Sequence, residues 1–224
     1  MDPAFQAVVA KHIPLVVYNA GGLKAADRLG AMNYVGSDDY KGGFAGGVYL
    51  GKAGDKDGLC LNTLPDASNI EAFCCGFVDG IKSVGGTGSV LPLPATSFGS
   101  ATAVAQALRA HLLQHANINA VFAIGNVDAN SAVSGIAQAG KTGKTGKVCG
   151  MNFDKSILNN IKSGTQACAI DQQGYLQGFL AVAILNGRVN YGLSVPTREI
   201  LTGPGIVDTS NIDATIAGVA AGTR

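Results

Sequence analysis

The feature that most constrains this chain is its rhythm: short β-rich runs alternate with amphipathic helical patterns from one end to the other. Runs rich in Val, Ile, Leu and Tyr, bounded by turn residues, occur at 13–19, 32–36, 59–64, 89–93, 120–124, 147–151, 166–170 and 197–201. Helical patterns lie at 3–11, 39–52, 68–83, 100–114, 127–139, 154–162 and 175–185. Apolar residues there recur every three or four positions, as in Tyr40, Phe44, Val48 and in Ile70, Phe73, Phe77, Ile81. Such alternation predicts an α/β fold of parallel sheets flanked by helices, because parallel strands require crossover helices that cover both faces.

Composition narrows the function. Of 224 residues 47% are hydrophobic and 14% charged, enough apolar material for two modest cores. The 32 glycines point to tight turns and close packing. Net charge is +1 with Lys and Arg scattered, so there is no basic stripe for nucleic acid. No apolar run reaches the ~18 residues of a membrane span, and the N-terminus lacks the pattern of a signal peptide. The five cysteines (Cys60, Cys74, Cys75, Cys149 and Cys168) fit neither a zinc spacing nor Cys-x-x-Cys. Cys60, Cys149 and Cys168 sit in β-like runs, where they are expected as small buried hydrophobes. The neighbours Cys74 and Cys75 suit each other poorly as disulfide partners.

One string invites misreading. Gly135 through Gly140-Lys141-Thr142 matches the phosphate-loop pattern G-x-x-x-x-G-K-[ST]. That chemistry needs a strand before the loop and a helix after it, so that free helix amides face the phosphate. Here the helical pattern comes first and a strand follows, so Gly140 is expected to end a helix and the Gly-Lys-Thr-Gly-Lys-Thr repeat to lengthen a turn. His111 and His115 lie four apart but lack the intervening acid of H-E-x-x-H, so no metal is expected there. No G-x-S-x-G elbow occurs, and no G-x-G-x-x-G follows the first strand. The chain is expected to bind without catalysis and without a cofactor.

The predicted strands share one habit: they end in hydrogen-bonding side chains. The first ends at Tyr18-Asn19, the second at Ser37-Asp38-Asp39, and the third at Leu64-Pro65-Asp66. Phe98 follows the fourth, Gly125-Asn126 and Asp128 the fifth, Asn152 and Asp154 the sixth, and Asp171-Gln172-Gln173 the seventh. Ligands of open α/β sheets sit beyond the carboxyl ends of strands. Amides and carboxylates there, with one aromatic plate, suit a polyhydroxylated ligand such as a sugar. Asp39 and Asp154 can equally be helix N-caps, and Asn126 a turn residue.

Ile13-Pro-Leu-Val-Val-Tyr-Asn19, Tyr34-Val-Gly-Ser-Asp38, Gly42-Gly-Phe-Ala-Gly46, Ala120-Val-Phe-Ala-Ile-Gly-Asn126 and Val148 to Asp154 follow one another in an order that resembles type 1 periplasmic binding proteins of the ribose-binding kind. Ala169 to Gly178 is similar to a signature of one sugar-transporter branch. The resemblance implies two lobes that clamp a ligand by hinge motion. It divides the chain into 1–38 as the remnant of a first lobe, 39–170 as the second lobe, 171–194 returning to the first, and 195–224 going back to the second with a flexible tail. It also implies that the first lobe is incomplete at its N-terminal side. Ligand-contacting positions carried over are Asn19, Ser37, Phe98, Asn126 or its neighbour Gly125, Asn152 and Asp171. Asp38 and Gln172 join them at the strand ends, and Phe73 stands where family members often place an Arg. Asn19 and Asn152 replace acids, which moves the pocket away from charged hydrogen bonding. The implied role is the substrate-binding component of an ABC-type importer in the periplasm or cell envelope, with a permease as partner. A ligand-sensing domain of a receptor or repressor-like regulator, and a remnant that no longer binds, remain alternatives.

Overall fold

The computed structural model describes residues 2–141 and 147–224. The chain divides into two compact units. The first comprises the segment up to Asp38, Gln172–Gly205 and Ala217–Arg224; the second comprises Asp39–Asp171 and Ile206–Ile216.

The first unit holds α1 (Asp2–Ala10), β1 (Val16–Asn19), α2 (Gly22–Leu29) and β2 (Asn33–Gly36). The second unit then contributes α3 (Asp39–Lys52), β3 (Asp57–Asn62), α4 (Ser68–Ser83), β4 (Thr87–Pro92), a 3₁₀ turn at Ala95–Ser97, α5 (Ala101–Gln114), β5 (Ala120–Ala123), α6 (Asn126–Gln138), β6 (Lys147–Met151), α7 (Lys155–Lys162) and β7 (Cys168–Asp171). The chain continues through α8 (Gly174–Tyr191) and β8 (Glu199–Leu201) in the first unit, then β9 (Gly205–Val207) and α9 (Ile212–Ala220). No described helix is long and apolar enough to cross a membrane.

In the first unit β1, β2 and β8 form a parallel sheet in that order, with Val17 opposite Tyr34 and Val35 opposite Ile200. Strand alternation sends Val16 and Val35 to one face, where they pack on Ala181, Leu180 and Ile184 of α8. Tyr34 goes to the other face with Ala26 and Leu23 of α2. The helix α2 escaped the sequence pattern: it is short, opens on Gly21-Gly22 and carries Lys24, Asp27 and Arg28. Segment 195–201 also departs from expectation, because it stays with the first unit. The buried Asn33 amide donates to the carbonyls of Val195 (3.3 Å) and Thr197 (2.8 Å), Arg198 pairs with Asp27 at 2.8 Å, and β8 adds to β2. The return to the second unit therefore comes at Ile206 and not at Val195.

The second unit is built on a sheet of order β4-β3-β5-β6-β7-β9, parallel from β4 to β7. Leu59 and Leu61 face Val104, Leu108, Ile136, Ile157 and Ile161 of α5, α6 and α7. Cys60, Phe122, Cys149 and Ile170 face Leu50 of α3 and Phe73, Phe77 and Ile81 of α4. Helix α3 does not bury the expected Tyr40–Phe44–Val48 stripe. It buries Gly42, Gly43, Gly46, Gly47 and Leu50 instead, leaving Tyr40 41% exposed. The reason is backbone-to-backbone contact with α4. A Cβ on Gly43 would stand 1.9 Å from the Phe73 carbonyl oxygen, and one on Gly76 would stand 2.0 Å from that of Tyr40.

The cysteine expectation is corrected in one respect. Cys60, Cys149 and Cys168 are fully buried, but they are not free: Cys60 bonds to Cys74 and Cys149 to Cys168, with Cα atoms 5.5 and 4.7 Å apart. Tertiary packing makes both pairs, since α4 lies on β3 and Cys149 faces Cys168 in the β6–β7 register. Cys75 is free and exposed.

The phosphate-loop string behaves as a helix end. Gly135 lies inside α6, and Gly140 follows the helix with φ of 74°. The amides of Gly140 and Lys141 donate to the carbonyls of Ala137 and Ile136, the paired bonds of a Schellman cap. Thr142 and most of the Gly-Lys-Thr repeat lie outside the described residues.

Candidate solute-binding edge

All strands from β4 to β7 end on the same edge of the sheet in the second unit, and the chain leaves β3 in one direction to β4 and resumes on its other side at β5. This reversal opens a crevice between the carboxyl ends of β3 and β5, the place where α/β sheets hold ligands. Asn62 and Thr63 stand on one side, and Gly125, Asn126 and Asp128 on the other. Thr63 Oγ1 donates to Asp128 Oδ2 at 2.8 Å, both residues being buried. Burial pushes the Asp128 carboxyl above its ordinary 3.8, and the Thr63 hydrogen bond opposes that rise. Asn62 Nδ2 donates to Glu71 Oε1 at 2.7 Å, while its Oδ1 accepts from the Leu64 amide at 3.1 Å. Asn126 Oδ1 is buried and accepts no hydrogen bond from any described residue. A buried acceptor in that state favours a donor from outside the protein.

Along the same edge Asn152 follows β6 and Asp171 ends β7. Asn152 is exposed and held at φ of 60°, with its backbone N–H donating to the Ile170 carbonyl at 2.8 Å. Asp171 is 6% exposed. Phe98 follows the 3₁₀ turn after β4 and is 62% exposed, a large apolar face offered to solvent. Asn126, Asn152, Asp171 and Phe98 are thus brought to one edge by the topology. Phe73 is not: it is 4% exposed and packed with Phe77, Phe122 and Met151, so its ring serves the core.

Asn19, Ser37, Asp38 and Gln172 belong to the first unit. Asn19 ends β1 and Ser37 follows β2, and the two are tied together by the buried Tyr34 hydroxyl, 2.6 Å from the Asn19 carbonyl oxygen and 3.1 Å from that of Ser37. Gly36 admits this arrangement, since a Cβ there would stand 2.1 Å from the Tyr34 oxygen. Ser37 Oγ is buried with no hydrogen-bond partner among the described residues. The Asn19 amide donates to Gln177 Oε1 at 3.1 Å, and Gln177 Nε2 donates to the Gln172 carbonyl at 2.7 Å. Thr202 Oγ1 also donates to that carbonyl, at 2.8 Å.

The sequence reading missed Thr63, Tyr34 and Gln177 as parts of these edges. Gln177 left a signal, being a polar residue between Leu176 and Leu180 on an apolar helix, and it is 1% exposed. Backbone strain marks the same edges: Asn19 at the end of β1, Asp66 in the loop after β3, Asn152 after β6 and Gln173 after β7 have positive φ. Non-glycine residues hold such conformations at a cost that clusters at functional sites.

Residues 1–192 match the family model described as periplasmic binding protein domain. Comparison with curated protein sequences finds no match. Among solved structures, a carbohydrate transporter from Acidothermus cellulolyticus 11B in complex with myo-inositol is 29% identical, with a TM-score of 0.84 over 100% of this chain and 75% of that one. A solute-binding protein from Agrobacterium vitis bound with alpha-D-tagatopyranose is 25% identical, with a TM-score of 0.77 over 96% of this chain and 74% of that one. A periplasmic ribose ABC transporter from Conexibacter woesei DSM 14684, at 20% identity and a TM-score of 0.84 over 99% and 73% of the two chains, shares the fold. With its motif order, its sheet topology and the match over most of its length, the chain belongs to the periplasmic binding protein domain family and is a binding protein, not an enzyme.

Proposed function

We propose that this chain binds a neutral polyhydroxylated solute, a sugar or a cyclitol, at the carboxyl edge of its larger unit, as the solute-binding component of an ABC-type importer. The observation that carries this reading is the composition of that edge. Asn126, Asn152 and Asp171 offer amides and a carboxylate at successive strand ends, Phe98 offers an exposed aromatic face, and the set contains no Lys or Arg. Amides and carboxylates exchange hydrogen bonds with hydroxyls, and an aromatic plate covers the C–H face of a sugar ring. A set without cations gives an anionic sugar no countercharge. The relatives crystallised with myo-inositol and alpha-D-tagatopyranose support the same ligand class. A permease of the importer is the proposed partner. The two disulfides accord with a periplasmic or envelope location, where the redox poise preserves such bonds.

Thermal shift against a panel of neutral sugars, cyclitols, sugar acids and amines tests this. A true ligand at about 100 times its dissociation constant adds about 2.7 kcal/mol of stability. Stabilisation by a neutral polyol is expected. Stabilisation by sugar acids or amines alone would overturn the ligand class.

A further inference from the structure

At the opposite edge of the same sheet, where β3 and β4 begin, lies a hollow of about 290 Å³ that the solute-binding edge does not use. Strand alternation explains its lining. Asp57, Leu59 and Leu61 share one face of β3; the two leucines pack under α5, but Asp57 lies beyond them at the strand start. Its register partner on β4 is Thr87, whose hydroxyl donates to Asp57 Oδ1 at 2.7 Å. The hollow is closed from α5 by His111, from the end of that helix by His115, and by Asn117 and Ile118 behind them. The two imidazole centroids are 4.3 Å apart. Neither imidazole makes a hydrogen bond or ion pair with a described residue.

We infer that His111 and His115 chelate a first-row divalent transition ion, of the Zn²⁺ or Ni²⁺ class, in this hollow, with the Asp57 carboxylate supplying negative potential alongside. Imidazoles four residues apart at the end of one helix reach a common ion, and the neutral ring is the ligand form. The ion class follows from the donors. Ca²⁺ and Mg²⁺ require a shell of oxygens, whereas imidazole selects Zn²⁺, Ni²⁺ and Cu²⁺. Lys141 sets its ammonium on the carbonyl of the lining residue Ile118 at 2.7 Å, so a positive charge also borders the hollow and the imidazole lone pairs supply most of the affinity. Among the described residues no three His, Cys, Asp or Glu side chains are spaced to hold an ion together, so the remaining positions belong to water.

Calorimetric titration of ZnCl₂ and NiCl₂ into untagged Cys75→Ser protein tests the inference, the substitution removing the free thiol as a competing ligand. One ion per chain is expected. His115→Ala, at an exposed position, and His111→Ala each weaken binding at least tenfold, Asp57→Asn weakens it severalfold, and His12→Ala leaves it unchanged. Should His111→Ala melt early, the His115→Ala comparison alone decides. Titrations indifferent to His115→Ala, or abolished by His12→Ala, would overturn the assignment. A polyol thermal shift in the His115→Ala protein reads the solute site separately, and it is expected to be unaltered.

Discussion

Thr63 donates its hydroxyl hydrogen to the Asp128 carboxylate across 2.8 Å, joining the residue after β3 to the first turn of α6 across the sheet reversal. Because burial raises the Asp128 pKa above 3.8, the folded chain holds this proton more tightly than the unfolded chain does. Stability from this group is therefore fully present below about 3.8 and is lost as pH rises through the raised value. Melting curves from about pH 3 to about pH 7 are expected to show Asp128→Asn gaining on the parent chain as pH rises. Thr63→Val, which strands the buried carboxylate, is expected to lose about 1–3 kcal/mol near neutral pH and less in acid. Identical pH profiles for parent and Asp128→Asn would contradict this account.

Two glycine substitutions in helices should act with opposite signs. In Gly76→Ala the new methyl meets the Tyr40 carbonyl oxygen at 2.0 Å, and α3 and α4 must separate. Overpacking of this kind costs about 1–3 kcal/mol, visible as a lower Tm. A methyl on Gly178 of α8 would have nothing within 4 Å, so Gly178→Ala should match the parent or gain up to about 1 kcal/mol from helix propensity. Equal Tm losses in both variants would show that helix contact is not the reason for the α3 glycines.

Thiol titration of the denatured, unreduced protein should read one thiol per chain, from Cys75, and five after reduction. Reduction of the native protein should lower Tm, since closing loops of 14 and 19 residues stabilises by roughly 2–4 kcal/mol each. Five thiols before reduction would remove both bonds from the account.

At the solute-binding edge, Asn126→Ala should weaken polyol affinity at least tenfold while leaving Tm of the free protein nearly unchanged, because Asn126 Oδ1 satisfies no described donor in the free chain. Phe98→Ala should weaken binding by a factor of ~10, about 1.4 kcal/mol, through loss of the exposed plate. Calorimetry with the polyol that gives the largest thermal shift reads both. Phe73→Ala should instead destabilise the fold by the ~3–5 kcal/mol of a core aromatic, read as a lower Tm, in contrast with the other two.

The amino-acid order alone determined the fold class, the placement of most strands, and the positions of Asn126, Asn152 and Asp171 at or just after strand ends. Those features follow from period and punctuation, which act over a few neighbouring residues: Asp154 caps α7 on the Ile157 amide as its position implies, and Gly140 ends α6. Long-range packing decided the rest. Phe73 became core because α3 approaches α4 through glycines, and Cys60 found Cys74 because α4 lies on β3. Thr63 met Asp128 only once β3 and β5 paired, and 195–201 stayed with the first unit because Asn33 and Arg198 bind backbone more than 160 residues away in sequence. Local propensity is written along the chain, whereas contacts between distant segments exist only after chain entropy has been overcome by burial of the shared faces, so no short window of sequence records them.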